Sequence, residues 1–326
     1  MKAVWYSKTG PAAEVLTIGQ LPDPVPQAGE VLIRVRASGL NPADCNRRAG
    51  RGYAMEAPLV IPQSDGAGIV VEIGSGVDAS WKGRRVWLYN GQRGRAFGTA
   101  AELIALDVGL VAELPANTSF AQGACLGIPC MTAWCAVHSM TAIEGRTVLV
   151  TGGGGAVGNY AIQLARRAGA RVLATASRPE SIADAYQAGA SEVIDYRREI
   201  VADRIQDITG GAGVDHIVEV DFGGNLAASL AVLKNNGSIA AYASRGNEQP
   251  PLPFYSLMRK NITLRAIYFS ALPPEFRRRA QEDIVRWLED GGAQHRIVAY
   301  PLSQIVAAHD AVEAGTKRGT VVVEIE

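Results

Sequence analysis

The stretch Thr147-Val-Leu-Val-Thr-Gly-Gly-Gly-Gly-Ala-Val-Gly158 decides the fold. An apolar strand runs into a glycine cluster, and an amphipathic helix leaves it. Over 156–168, Val157, Ala161, Leu164 and Ala168 form one apolar stripe. The cluster contains Gly153-x-Gly155-x-x-Gly158 and equally Gly152-x-x-Gly155-x-x-Gly158. Glycine-rich loops are common, so the pattern alone is weak; a strand before it and a helix after it are the context a dinucleotide needs. Without side chains, the backbone N–H groups approach a pyrophosphate at the positive end of the helix. Gly158 also lets the helix pack close to the sheet. A tight turn without a ligand is the competing reading, and the flanking elements favour the dinucleotide.

Working outward, apolar runs at 147–151, 171–176, 192–195, 215–220, 238–243 and 262–269 alternate with helical patterns. That spacing predicts six parallel strands in a doubly wound α/β sheet of the Rossmann type. Before it the chain reads as antiparallel β. In Val31-Leu-Ile-Arg-Val-Arg-Ala-Ser38, the residues Val31, Ile33, Val35 and Ala37 share one face and Arg34 and Arg36 the other. Short runs at Gly68–Ile73 and Arg85–Tyr89 are similar, with Pro and Gly clusters between them. After the sheet, a charged helix over 274–289, a strand near Ile297, a helix over 303–314 and the strand-like end Gly319–Ile325 are expected. The last strand alternates like the N-terminal ones, so it is expected to return to the first domain. The predicted division is 1–123 with 270–326 as one domain and 124–269 as the other.

Charge and composition narrow the function. Lys plus Arg and Asp plus Glu are each 32, so the net charge is zero. A neutral chain is poorly suited to tracking a phosphate backbone, which disfavours nucleic-acid binding. No apolar run approaches the roughly 20 residues that span a bilayer, and Met1–Gly10 has no apolar signal core. Four cysteines in 326 residues are no disulfide framework. A cytoplasmic protein without a membrane partner is expected.

The choice of dinucleotide rests on the tip of the second strand, about 20 residues beyond the glycine loop. An acid there would bind the ribose hydroxyls of NAD. The chain reads Thr175-Ala-Ser-Arg178-Pro179, with Glu180 two residues beyond, in the first turn of the next helix. Arg178 can neutralise a 2′-phosphate and Ser177 can hydrogen-bond it, so NADPH is preferred. Taken alone, Arg178 reads equally as a solvated loop charge.

With these motifs the chain resembles the medium-chain dehydrogenase/reductases, and among them the zinc-independent quinone oxidoreductases of the zeta-crystallin type. The resemblance runs through Ala37-Ser-Gly-Leu-Asn-Pro-Ala-Asp44, Pro62-Gln-Ser-Asp-Gly-Ala-Gly68, Gly127-Ile-Pro-Cys-Met-Thr-Ala133, the glycine loop and Gly189-Ala-Ser-Glu-Val-Ile-Asp-Tyr196. It implies a β-rich GroES-like catalytic domain beside the Rossmann domain. It also implies a cofactor site that includes Asn41, Thr132, Gly155, Ala156, Val157, Gly158, Ser177, Arg178, Tyr196, Ser244, Arg245, Phe269, Ser270 and Arg318. Tyr196 and Arg178 match positions that hold the 2′-phosphate, and Thr132 matches a residue close to the nicotinamide. Tyr196 alone reads equally as packing at a strand end. The family further implies a homodimer or homotetramer, with 261–268 as the joining edge.

Zinc members of the superfamily carry a Cys where this chain has Asn41, and Gly-His-Glu where it has Gln63-Ser64-Asp65. Zinc wants four N or S ligands, and no metal is expected. Cys45, Cys125, Cys130 and Cys135 read as core cysteines, and His216 and His309 as surface or packing residues. Without a Lewis acid, the expected chemistry is hydride delivery to an acceptor that already spreads charge, such as a quinone or an enone. Asn41, Asp44 and Tyr53 are the catalytic candidates: Asn41 to donate to a carbonyl or the cofactor ribose, Asp44 to orient it or pass a proton, Tyr53 to donate a phenolic hydrogen bond. Asn41–Asp44 also reads as a plain capped turn. Three functions remain open: an NADPH-dependent quinone reductase, an NADPH-dependent alkenal or enone reductase, and a non-catalytic NADPH-binding protein.

Overall fold

In a computed structural model, residues 1–52, 54–55, 57–138, 142–315 and 319–326 are described. The chain divides into two units, Met1–Ile128 with Pro273–Glu326, and Pro129–Leu272. The first begins with β1 (Lys2–Trp5), α1 (Ala12–Val15) and β2 (Thr17–Gln20), the two strands pairing antiparallel. Then follow β3 (Glu30–Leu40), α2 (Pro42–Ala49), β4 (Asp65–Ile73), β5 (Arg85–Leu88), β6 (Leu103–Asp107), β7 (Val111–Glu113) and α3 (Phe120–Gly123). The expected alternation holds in β3: Arg34 and Arg36 are exposed while Val31, Ile33, Val35 and Ala37 are buried. The start of α2 is written in its residues, with Asn41 as N-cap and Pro42 in the first turn.

The second unit runs α4 (Met131–His138), β8 (Thr147–Val150), α5 (Ala156–Arg167), β9 (Arg171–Ala176), α6 (Pro179–Ala188), β10 (Glu192–Asp195) and α7 (Val201–Thr209). It continues through β11 (Val214–Glu219), α8 (Phe222–Val232), β12 (Leu233–Ala241), α9 (Phe254–Arg259) and β13 (Thr263–Ala266). The six strands lie in the order β10-β9-β8-β11-β12-β13, every neighbouring pair parallel. This is the doubly wound order, whose reversal between β8 and β11 opens a crevice at the carboxyl ends of the strands. The two largest boundary differences from the sequence expectation lie in β12 and β13. β12 starts five residues early, at Leu233, with a register irregularity before Ser238 where Asn236 adopts a φ of 62°. β13 stops at Ala266 because the chain turns into a 3-10 segment at Phe269–Ala271.

The tail supplies α10 (Pro274–Glu289), β14 (Ile297–Pro301), α11 (Ile305–Glu313) and β15 (Thr320–Glu324). As expected, β15 returns to the first unit and pairs antiparallel with β3, Val321 opposite Leu40 and Glu324 opposite Ala37. One edge of β3 is therefore shared. β6 covers it along Glu30–Arg34 and β15 along Ala37–Leu40. The core needs both ends of the chain, because Ile33, Val35, Leu40 and Val86 cluster with Leu302, Ile305, Val321 and Val323. Among the described residues no helix is long and apolar enough to cross a membrane.

Candidate active site

Two groups of site residues are built separately, one in each unit. In the first, β3 ends at Leu40 and Asn41 caps α2, so the side chains of Asn41 and Asp44 meet in one turn. The Asn41 backbone N–H donates to Asp44 Oδ2 at 2.8 Å, one half of a capping box. The Asn41 amide Nδ2 donates to Asp65 Oδ2 at 2.7 Å, and the Ile128 backbone N–H donates to the same oxygen at 2.7 Å. All three side chains are buried. Burial pushes the Asp44 carboxyl up to about 6 against the pull of the Asn41 N–H and the Arg47 charge. Burial, reinforced by the Asp44 charge, holds Asp65 well above the ordinary carboxylate range. Tyr53 lies outside the described residues.

Behind this turn, Ser38 and Gln63 are hydrogen-bonded to one another, Ser38 Oγ lies 2.6 Å from Thr99 Oγ1, and Thr99 Oγ1 donates to the Asp65 carbonyl at 2.7 Å. This donor set does not suit zinc. Asn41 presents an N–H to Asp65 where a ligand would need a lone pair, and Gln63 and Ser64 supply no imidazole or thiolate. Among the described residues no three His, Cys, Asp or Glu side chains gather as a metal cluster. All four cysteines are buried and form no disulfide, and burial drives the Cys135 thiol up to about 12. His309 and His216 are buried in packing rather than exposed, pushed down by burial to about 3 and about 4. Cys45 Sγ lies 3.5 Å from His309 Nδ1. His216 binds Ser238 Oγ at 2.7 Å and the Ala136 carbonyl at 3.0 Å.

In the second unit the glycine loop joins β8 to α5 with Gly155 as N-cap. The helical ladder begins with the Asn159 N–H on the Gly155 carbonyl at 2.8 Å. The N–H groups of Ala156, Val157 and Gly158 therefore precede the ladder and have no carbonyl of their own helix to bond. A Cβ on Gly158 would lie 2.3 Å from the Gly152 carbonyl oxygen, so the loop folds directly against the first turn. This cradle fits a pyrophosphate. At the next strand tip, Ser177 Oγ and Tyr196 OH are 2.9 Å apart, Tyr196 is exposed, and Arg178 is the N-cap of α6. Three residues predicted to meet a 2′-phosphate thus stand at neighbouring strand ends.

Thr132 is buried in the first turn of α4. Ser244 Oγ accepts from the Gly223 N–H at 2.9 Å, Arg245 is exposed, and Phe269 and Ser270 are buried in the 3-10 turn. Arg318 lies outside the described residues.

One participant escaped the sequence reading. Glu219, fully buried at the end of β11, accepts from Thr151 Oγ1 at 2.7 Å, the Asp221 N–H at 2.8 Å and Asn225 Nδ2 at 2.8 Å. It ties the residue before the glycine loop to the turn after β11. A cavity of about 490 Å³ opens beside it, lined by Thr151, Gly152, Thr175, Tyr196, Val220 and Asp221 among others.

Residues 27–116 match the alcohol dehydrogenase GroES-like domain, and residues 156–290 match the family described as zinc-binding dehydrogenase. The chain is 32% identical to human quinone oxidoreductase over 319 residues, 97% of this chain and 95% of that protein. A mycobacterial quinone oxidoreductase structure superposes with a TM-score of 0.89 at 27% identity, covering all of both chains. A mycobacterial protein complexed with NADPH does so with a TM-score of 0.85 at 26% identity, again over both chains in full.

Proposed function

The chain belongs to the zeta-crystallin-like, zinc-independent quinone oxidoreductases of the medium-chain dehydrogenase/reductase superfamily, and from that premise we propose that it reduces quinones with NADPH. The observation that carries the reading is the cradle at the start of α5, whose backbone N–H groups fit a pyrophosphate. NADPH, when bound, supplies the hydride. The chain's own residues bind and orient. Ala156, Val157 and Gly158 offer their N–H groups to the pyrophosphate, and Ser177, Arg178 and Tyr196 hold the 2′-phosphate. Thr132, Ser244, Arg245, Phe269 and Ser270 flank the nicotinamide half. Asn41 donates an amide hydrogen to the acceptor oxygen as negative charge builds there. Asp44 accepts the Asn41 backbone N–H and so holds the turn that presents it.

The chain is further proposed to act in the cytoplasm as a homodimer. Four cysteines that form no disulfide support a reducing compartment. β13 is an edge strand of its sheet, and Leu264, Tyr268 and the α9 residues Phe254, Tyr255 and Met258 are exposed apolar groups close to it in sequence. An uncovered strand edge with an apolar neighbourhood suits pairing with a second copy.

The test is consumption of NADPH and of NADH by metal-stripped protein with phenanthrenequinone, then with an enone. Quinone-dependent oxidation specific to NADPH and indifferent to chelation is expected. Faster turnover of the enone to its saturated product would assign the alkenal reductase activity instead. Tight NADPH binding with no turnover of either would leave a binding protein.

A further inference from the structure

We infer that Asp65 is a positioning residue for Asn41: its carboxyl decides which end of the Asn41 amide faces the buried cluster, and so which group the turn offers to the acceptor. The inference rests on the proposed role of Asn41. Its ground is the strand register. β3 and β4 pair with Gly39 opposite Asp65, so Asp65 stands beside the chain two residues before Asn41 although 24 residues separate the two in sequence. The Thr99 hydroxyl on the Asp65 carbonyl holds its main chain, and the Ile128 N–H on Oδ2 holds its carboxyl. Gly127 has no Cβ there because one would overlap Asp65 Oδ1 at 2.0 Å.

An amide has two N–H donors and one oxygen. One Asn41 N–H goes to Asp65 Oδ2, and the capping box sets the Asn41 side chain toward the Asp44 N–H. The second N–H is the one the turn can offer to the acceptor, in competition with the neighbouring Asp44 carboxyl. An Asn41 amide turned over would set its oxygen against Asp65 Oδ2 and lose that bond. Among the described residues no positively charged side chain hydrogen-bonds Asp65, and its Oδ1 has no hydrogen-bond partner. Burial and the Asp44 charge both favour the protonated form of Asp65, and asparagine at 65 is the neutral isostere of that form.

The experiment is a double-mutant cycle on the full chain with NADPH and phenanthrenequinone. It uses Asn41→Ala, Asp65→Ala and the pair, with Asp65→Asn as the conservative variant. Asp65→Ala is expected to lower kcat about ten-fold while leaving NADPH affinity within about two-fold, and to cost less than about two-fold when Asn41 is already alanine. Asp65→Asn is expected to stay within about three-fold of wild type, because a neutral isostere keeps the acceptor oxygen. Equal losses from Asp65→Ala with and without Asn41 overturn the inference, as does a folded Asp65→Asn chain as slow as Asp65→Ala. Asp65→Ser replaces Asp65→Ala in the cycle if the alanine chain does not fold. Wild-type turnover by Asn41→Ala alone would instead overturn the role of Asn41.

Discussion

Replacing Gly158 by alanine sets two effects of known sign against each other. In an α-helix alanine is favoured over glycine by about 1 kcal/mol, so helix propensity alone predicts stabilisation. The structure opposes it. The new Cβ would stand 2.3 Å from the Gly152 carbonyl oxygen and 3.0 Å from the Gly153 Cα. An ordinary carbon–oxygen contact is about 1 Å longer than the first of these, and both neighbours are backbone, so no rotamer change relieves it. Overpacking of this kind costs about 1–3 kcal/mol, which exceeds the propensity gain over most of its range. The loop has to lift off the helix by about an ångström, enough to stretch hydrogen bonds to a pyrophosphate beyond their working distance. With charge-assisted bonds each worth about 1.5–3 kcal/mol, NADPH affinity should fall at least about ten-fold. Calorimetric titration with NADPH and a thermal melt measure both consequences. Gly155→Ala is the internal control: its Cβ would meet the same oxygen at 3.3 Å, so its Tm should stay closer to wild type. A Gly158→Ala chain with unchanged NADPH affinity and an equal or higher Tm would refute the close packing of loop on helix.

Arg178→Ala should raise KM for NADPH about ten- to a hundred-fold with little change for NADH, since a phosphate contact is worth about 1.5–3 kcal/mol; equal losses with both cofactors would remove Arg178 from the 2′-phosphate site. Asp44 carries its own pH dependence. Its folded value of about 6 lies above the ordinary carboxyl value of 3.8, so the stability of the neutral form is complete below 3.8 and is lost as pH rises through 6. The loss is about 3 kcal/mol, and chemical denaturation of wild type against Asp44→Asn from acid to neutral pH should show it as a difference that grows with pH. Glu313→Ala leaves the fully buried Arg48 guanidinium without its carboxylate partner. That should cost about 3–5 kcal/mol in urea unfolding, and an unchanged midpoint would show that the Gly10 carbonyl suffices for Arg48. Leu264→Lys places a charge on the β13 edge and should shift sedimentation from dimer to monomer; an unmoved dimer would place the interface elsewhere.

The parts of this molecule that could be read from the chain are those whose physics is local. β3 announces itself because Arg34 and Arg36 interrupt an apolar face every second residue. The start of α2 is spelled by a capping residue followed by proline, and the cofactor loop by glycines between a strand and a helix. The start of β12 was not legible, because the turn at Asn236 reads as a break while the ladder begins before it, at Leu233. The buried acids were harder still. In the sequence, Gln63-Ser64-Asp65 shows only that a zinc ligand is missing, and Glu219 is one acid near the end of an apolar strand. Their partners are set by strand register and by loops: Asn41 and Ile128 converge on Asp65, Thr151 and Asn225 on Glu219. Buried carboxyls that accept from amides and hydroxyls rather than from a cation leave no complementary charge in the sequence to mark them. The loss of the zinc ligands does not leave the turn empty, because the carboxyl at position 65 takes an amide hydrogen from the residue that stands where the ligand cysteine would be.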